Sequence, residues 1–332
     1  MKANRWHRFV AACLLACAAP CALAVECIVP AKPGGGMDAS CKLLRRVMQA
    51  QGGPDGQAER NDKGDQGNVK VAYLPGGIGA VAWGSVVSHR RGGPDSLVAF
   101  SGGSLLGLAQ GKYGRADVGD VRWVAGVGID HGMIAVRSDA PWRSLKQLLE
   151  AIRKDPSATT IGLSGTAGSQ DWLKVAMLVQ RAGMAPRQFH FVALEGGGDS
   201  FAALQAGHVQ VISGDASEAA HFIAEGKVRI LAVLSEQRLP GPLQEVPTAR
   251  EQGYDVVWPI IRGFYMSPYA SEDDYQRWVR YFDKAMADPA FDRQRSIGGL
   301  QPFAMTGKPL SDYIAQTVAR YRKLSQELGL VR

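Results

Sequence analysis

The sequence predicts an α/β fold, doubly wound and divided into two parts, for this 332-residue chain. Three observations carry that prediction. Short apolar runs alternate with segments whose apolar residues recur at i, i+3, i+4 and i+7. Several of the short runs are apolar throughout, as in a parallel sheet covered on both faces. Glycine-rich turns stand between the two kinds of segment. They are Pro33-Gly34-Gly35-Gly36-Met37-Asp38, Pro75-Gly76-Gly77, Ser101-Gly102-Gly103-Ser104, Gly165-Thr166-Ala167-Gly168-Ser169 and Glu195-Gly196-Gly197-Gly198-Asp199.

The first strand is the run Cys27-Ile28-Val29-Pro30. Further strands are expected over residues 69–73, 97–100, 123–127, 133–136, 160–163, 190–193, 209–212 and 228–234. Helical spacing is plain in Leu145, Leu148, Leu149 and Ile152, which follow Ser144, with Gln147 placed to complete a capping box. Tyr275, Trp278, Val279 and Phe282 line a second helix, and Leu310, Ile314, Val318 and Tyr321 a third. Gly183, Gly207 and Gly226 stand where helices should stop. Residues 51–70 are polar, lack periodicity and read as an exposed loop. Strands 121–127 and 228–234 enter and leave a middle segment. That makes lobe 1 of residues 25–122 and 236–332, and lobe 2 of residues 123–235, with two hinges suited to closure around a ligand.

Residues 1–24 read as a secretory signal. Lys2, Arg5 and Arg8 precede a short apolar stretch, and Ala22-Leu23-Ala24 offers a cleavage site. Leu15-Ala16-Cys17 fits a lipoprotein box poorly, so ordinary cleavage and no lipid anchor are expected. The formal net charge is +7, and the leader carries three of those charges and no acid. The remaining +4 is mild, and nucleic-acid motifs are missing, so a nucleic-acid partner is not expected. Cys27 and Cys41 are the two cysteines beyond the leader. In an oxidising compartment they favour a disulfide across the first glycine turn, the alternative being two buried thiols.

Glycine lets backbone N–H groups approach a ligand, and the helix that follows leaves its first N–H groups unpaired. Several such turns meeting in one cleft make an anion site. Motifs for catalysis fail one by one. Gly111-Lys112 is followed by Tyr113 and Gly226-Lys227 by Val228, so no phosphate loop exists. Gly162-Leu163-Ser164-Gly165 lacks the second glycine of a nucleophile elbow. The histidines are scattered without metal-ligand spacing, and no cofactor or metal is expected.

From Glu26 onward the chain resembles the substrate-binding receptors of the tripartite tricarboxylate transporters. The resemblance is carried by Pro30-Ala31-Lys32-Pro33-Gly34-Gly35-Gly36-Met37-Asp38, Tyr73-Leu74-Pro75-Gly76-Gly77-Ile78-Gly79-Ala80, Ala99-Phe100-Ser101-Gly102-Gly103-Ser104, Gly168-Ser169-Gln170-Asp171-Trp172, Glu195-Gly196-Gly197-Gly198, Gly214-Asp215 and Trp258-Pro259-Ile260-Ile261-Arg262-Gly263-Phe264-Tyr265. It implies a periplasmic-binding-protein type, two-lobe (Venus flytrap) fold. It also implies that Gly34, Gly35, Gly36, Asp38, Ser101, Gly103 and Ser104 face Ser164, Gly168, Ser169, Gln170, Gly196, Gly197, Gly198 and Asp215 across a ligand. A helix end contributes roughly 0.3–1 kcal/mol to an anion, and micromolar affinity needs about 8 kcal/mol. Cationic partners are therefore expected. Lys32 lies in the first turn, and Arg262 can grip a carboxylate at two points.

The function expected is that of a monomeric periplasmic receptor handing a tricarboxylate such as citrate to membrane transporter subunits, with no covalent chemistry. The alternatives are a receptor for another small carboxylate and a ligand-sensing partner of a membrane sensor kinase. An exported carboxylate-processing enzyme is opposed by the missing nucleophile and metal motifs.

Overall fold

The computed structural model describes residues 25–54, 69–88 and 93–331. The expected leader, the Leu15-Ala16-Cys17 box and most of the polar 51–70 segment lie outside those residues.

The chain runs β1 (Val25–Val29), α1 (Gly36–Gln51), β2 (Val69–Tyr73), α2 (Ala80–Val87), β3 (Ser96–Ser101), α3 (Gly102–Ala109) and β4 (Arg122–Arg137). It continues with α4 (Leu145–Lys154), β5 (Thr160–Ser164), α5 (Gln170–Arg181), β6 (His190–Leu194), α6 (Gly197–Gln205), β7 (Val211–Asp215), α7 (Ala216–Ala224) and β8 (Val228–Leu234). The last elements are β9 (Pro259–Met266), α8 (Glu272–Ala287), α9 (Pro289–Ile297), β10 (Met305–Thr306) and α10 (Gly307–Glu327). The strand order is β2-β1-β3-β9-β4-β7-β5-β6, with β8 and β10 also paired to β4. Neighbours are parallel within β2-β1-β3 and within β7-β5-β6, and antiparallel where β9 and β4 join them.

β4 joins the two lobes. The sequence reads as two strands there because Gly126, Gly128 and Gly132 interrupt the apolar pattern. The structure makes it one strand of 16 residues. The glycines fit because neighbouring side chains fill the room a Cβ would need: Phe303 at 2.6 Å from that position on Gly126, and Lys174 at 2.8 Å on Gly132. Arg122 to His131 pair with β9, whereas Gly132 to Arg137 pair with β7 and β8. After β8 the chain stays with lobe 2, bridging Val233 to Thr248. There it buries Ala249, Val256 and Trp258 against lobe-2 side chains. We therefore place the changes of lobe at His131–Gly132 and just after Trp258, rather than at 122/123 and 235/236.

Each lobe has two cores, one on each face of its sheet. In lobe 1, α1, α8 and α9 bury Leu43, Leu44, Trp278, Phe282 and Phe291 on one face. On the other, α2, α3 and α10 bury Trp83, Leu105, Leu310 and Ile314. In lobe 2, α4 and α5 cover one face with the expected stripe Leu145, Leu148, Leu149 and Ile152, and α6 and α7 cover the other. Each such side chain contributes about 1.5–3 kcal/mol through burial. The α4 cap is half of what its sequence promised. Ser144 Oγ accepts from the Gln147 N–H at 3.2 Å, but Gln147 Oε1 accepts from the Arg143 N–H at 2.6 Å. Cys27 in β1 and Cys41 in α1 are bonded as a disulfide, with Cα atoms 5.7 Å apart.

Candidate functional site

A cleft of about 820 Å³ opens between the lobes where the glycine turns meet. Lobe 1 contributes Lys32, Gly35 and Gly36 from the turn before α1, with Ser101 and Gly103 from the turn before α3. Lobe 2 contributes Ser164, Gly168, Ser169, Gln170, Gly196, Gly197 and Asp215, and Arg262 of β9 lies at the floor. Four residues named from the sequence do not line it: Gly34, Asp38, Ser104 and Gly198. Asp38 is buried and holds its own turn, accepting from the Gly34 N–H at 2.8 Å, the Tyr73 hydroxyl at 2.9 Å and Lys42 Nζ at 2.7 Å. Ser104 Oγ accepts from the Ser101 N–H at 3.3 Å and so caps α3 from within. Ser169 is the N-cap of α5, its Oγ accepting from the Trp172 N–H at 3.3 Å.

The two cations expected to meet the ligand already have partners. Arg262 is 2% exposed. Its Nη2 donates to Asp130 Oδ2 at 2.7 Å and to Asp215 Oδ2 at 2.6 Å. Its guanidinium lies flat on Gly36, where a Cβ would stand 2.1 Å from Nη2. Arg262 thus lines the cleft floor as a buried ion-pair residue, not as the guanidinium free to grip a ligand carboxylate that the sequence leads one to expect. The reason is its register, which sets it opposite Ser101 in β3 and Gly128 in β4, beneath both lobes. Lys32 pairs across the cleft with Glu195 and, at 3.6 Å, with Asp199. Glu195 and Asp199 hold the Lys32 ammonium above its ordinary pKa.

Sequence reasoning missed the rest of this floor. Lys174, wholly buried on α5, gives all its donors away. They go to Asp171 Oδ1, Asp215 Oδ1 and the Gly214 carbonyl, each at 2.8 Å. Burial works against charge on Asp215, but Lys174 and Arg262 together outweigh it and hold its carboxyl low. Asp130 also accepts from the Ser217 N–H at 3.1 Å and its hydroxyl at 2.6 Å, which ties β4 to α7. Glu218, in the first turn of α7, reaches across to lobe 1 and accepts from the Gly36 N–H at 3.0 Å. Its carboxyl is pushed well up, first by burial and then by the charge on Asp215, against the pull of Arg262. A buried acid within a strand (Asp130) and a lysine on an apolar helix face (Lys174) were signals available in the sequence.

Two further features shape the mouth. Lys112 lines the cleft and, among the described residues, has no ion-pair partner. Ile78 sits at φ +54 in a run with Gly76, Gly77 and Gly79, all of positive φ. That backbone is costly for a β-branched residue. It points Ile78 across the cleft, with Cδ1 3.2 Å from where a Cβ on Gly165 would stand. Gln110 adds another strap between the lobes, donating from Nε2 to the Gly168 carbonyl at 2.8 Å.

No helix among the described residues is long and apolar enough to cross a membrane, and no group of three or more His, Cys, Asp or Glu there is placed to hold a metal ion.

Comparison with known proteins agrees with this architecture. Residues 114–330 match the tripartite tricarboxylate transporter family receptor family, known as TctC. A UPF0065 protein in the gbd 5' region of Cupriavidus necator is 25% identical over 207 residues, covering 62% of this chain. This chain spans 61% of that relative's length. MatC of Rhodopseudomonas palustris with bound malate superposes with a TM-score of 0.73 at 18% identity, covering 90% of this chain and 98% of MatC. An R. palustris protein with adipate gives 0.78 at 17% identity, covering 92% and 97%. The fold is that of the periplasmic binding proteins. These are solute-binding receptors and not enzymes. With its match running through all of lobe 2, β9 and the C-terminal helices, this chain belongs to the receptor family of the tripartite tricarboxylate transporters.

Proposed function

We propose that this protein is a periplasmic receptor that closes its lobes on a small organic carboxylate and presents it to the membrane subunits of a tripartite transporter. The cleft itself carries this reading: the turns opening α1, α3, α5 and α6 converge on it, and Lys112 in its lining has no ion-pair partner among the described residues. The structural neighbours holding malate and adipate fit the same ligand class. A cleft between two lobes gains ligand contacts from both on closure, which is the source of selectivity.

The expected tricarboxylate is supported less well. Citrate would need several free cations, and Lys32 and Arg262 are both held by carboxylates. Of the three cations that line the cleft, Lys32 and Arg262 are already matched by the cleft's own Glu195 and Asp215. That balance favours a ligand of low negative charge. Its carboxylate is placed at Lys112, with Arg262 acting through Asp215 and Gly36 to set the cleft floor.

Thermal-shift titration with malate, adipate, citrate, acetate and a neutral sugar tests the reading. The mono- and dicarboxylates should raise Tm, through mass action on the folded state, more than citrate does. Lys112→Ala should weaken the best of them about tenfold, as a lost charged hydrogen bond of roughly 1.5–3 kcal/mol implies. Stabilisation by the sugar alone would refute carboxylate binding, and strongest stabilisation by citrate would restore the tricarboxylate.

A further inference from the structure

The seat that the glycine turns build for an anion is already filled by a carboxyl of the protein itself. Glu218 leaves α7 of lobe 2 and places its carboxyl between the first residues of two helices. Oε1 takes the Gly36 N–H at the start of α1, at 3.0 Å. At the start of α6, a Cβ on Gly197 would stand 1.9 Å from Oε2 and 2.6 Å from Oε1. A Cβ on Gly35 would meet Oε1 at 3.6 Å. The carboxyl therefore rests on the bare backbone of both lobes at once. Among the described residues, no lysine or arginine lies within ion-pair distance of it. The nearby cations are committed elsewhere, Lys174 to Asp171 and Asp215, Arg262 to Asp130 and Asp215.

A second acceptor faces the same space. Gln170 Nε2 is turned to Asp215, at 3.3 and 3.4 Å from its two oxygens. That leaves Gln170 Oε1 buried without a hydrogen-bond partner. A buried acceptor left unpaired is costly, so a donor brought to it is favoured. The cleft lining thus holds two acceptors, the Glu218 carboxyl and Gln170 Oε1, and Lys112 lines the same cleft.

We propose that Glu218 is the specificity-determining residue of this cleft: its carboxyl fills the seat between Gly36 and Gly197. The cleft then selects a carboxylate ligand that presents an ammonium or another hydrogen-bond donor to Glu218, against one that presents a further carboxylate there. The inference rests on the carboxylate-receptor reading and narrows it to a donor-bearing carboxylate. A ligand carboxylate brought to this seat would meet Glu218, with Asp215 and Asp130 behind it. It would have to expel Glu218 from the two helix ends before using them. A ligand donor would satisfy both Glu218 and Gln170 without displacing anything. The room in the cleft, about 820 Å³, allows ligand and Glu218 to be present together.

The test is calorimetric titration with two ligands of equal length and opposite ends, glutarate and 4-aminobutyrate, against the parent, Glu218→Gln and Glu218→Ala. The parent should bind 4-aminobutyrate at least tenfold more tightly than glutarate. Glu218→Ala empties the seat and should reverse that preference. Glu218→Gln keeps the size and the Gly36 hydrogen bond, and should lose most of the preference. Circular dichroism and melting curves establish that each variant is folded. If glutarate and 4-aminobutyrate bind the parent and folded Glu218 variants with the same ratio, the assignment of Glu218 is overturned while carboxylate binding stands. If the parent prefers glutarate, the assignment is likewise overturned. If neither these ligands nor malate or adipate bind the parent, the carboxylate-receptor reading fails and takes this inference with it.

Discussion

Replacing Gly36 by alanine puts one methyl group where the Arg262 guanidinium lies. The new Cβ would stand 2.1 Å from Nη2, 2.2 Å from Cζ and 2.3 Å from Nη1. The far end of an arginine ordinarily swings aside, but this one is pinned by Asp130 and Asp215 at 2.7 and 2.6 Å. Moving it leaves buried carboxylates short of a partner, and breaking a buried pair costs about 3–5 kcal/mol. Helix propensity works the other way, since alanine is better than glycine in a helix by about 1 kcal/mol. The net expectation is a loss of about 2–4 kcal/mol. At roughly 2–4 °C per kcal/mol for a chain of a few hundred residues, Tm should fall by about 5–15 °C. Gly35→Ala is the matched control. It lies in the same turn, its φ is −93, and its Cβ would come no closer than 3.6 Å to Glu218 Oε1. That variant should stay within about 1 kcal/mol of the parent, as changes at a helix N-cap do. Differential scanning fluorimetry at neutral pH, with urea melts for ΔG, reads both. Equal melting of the two variants would show that the guanidinium moves freely and would refute the pinned floor.

Arg262→Ala should lose roughly 3–5 kcal/mol in a urea melt, because it leaves Asp130 with only its His131 and Ser217 hydrogen bonds and Asp215 with Lys174 alone as cationic partner; a parent-like melt would contradict its place in the core. Glu218 gives a pH signature. Its carboxyl is raised when folded, so from the ordinary glutamate pKa, about 4.3, up to its own value the folded state binds the extra proton. Stability from this group therefore falls as pH rises through that window. The Tm of Glu218→Gln minus that of the parent should grow from pH 4.5 to 7.5, and a flat difference would rule the effect out. Reduction of Cys27–Cys41 opens a loop with a separation of 14 residues, which should cost about 3 kcal/mol on the chain-entropy account. Identical urea midpoints with and without reductant would refute that.

The fold was largely legible because alternating apolar runs and glycine turns are local signals, and local signals survive in a sequence. The stripe from Leu145 to Ile152 and the stop at Gly207 (φ +76) depend on neighbours a few positions away. The pairing of charges was not legible. Lys174 meets Asp215 41 positions on, and Arg262 reaches back 132 positions to Asp130. Nothing local tells a cation that faces a ligand from one consumed by such partners, so Arg262 looked free. β4 was misread for a related reason, since Gly126 and Gly132 look like interruptions until Phe303 and Lys174 arrive to fill them. Of the candidate site, the backbone turns were readable and the occupant of their seat, Glu218, was not.

The continuity of β4 has a mechanical consequence. Its 16 residues span about 50 Å at 3.3 Å per residue, and hydrogen bonds hold it to β9 at one end and to β7 and β8 at the other. α10 doubles that span: Leu310 and Ile314 are embedded in lobe 1, while Leu324 and Leu328, with Leu330 beyond, rest on the core of lobe 2. A joint of this kind behaves as a leaf spring and not as a pin. Opening such a joint would spread small torsions over many residues and meet a restoring force. On the receptor reading proposed above, softening the strand or the helix should speed ligand release without touching a single contact in the cleft.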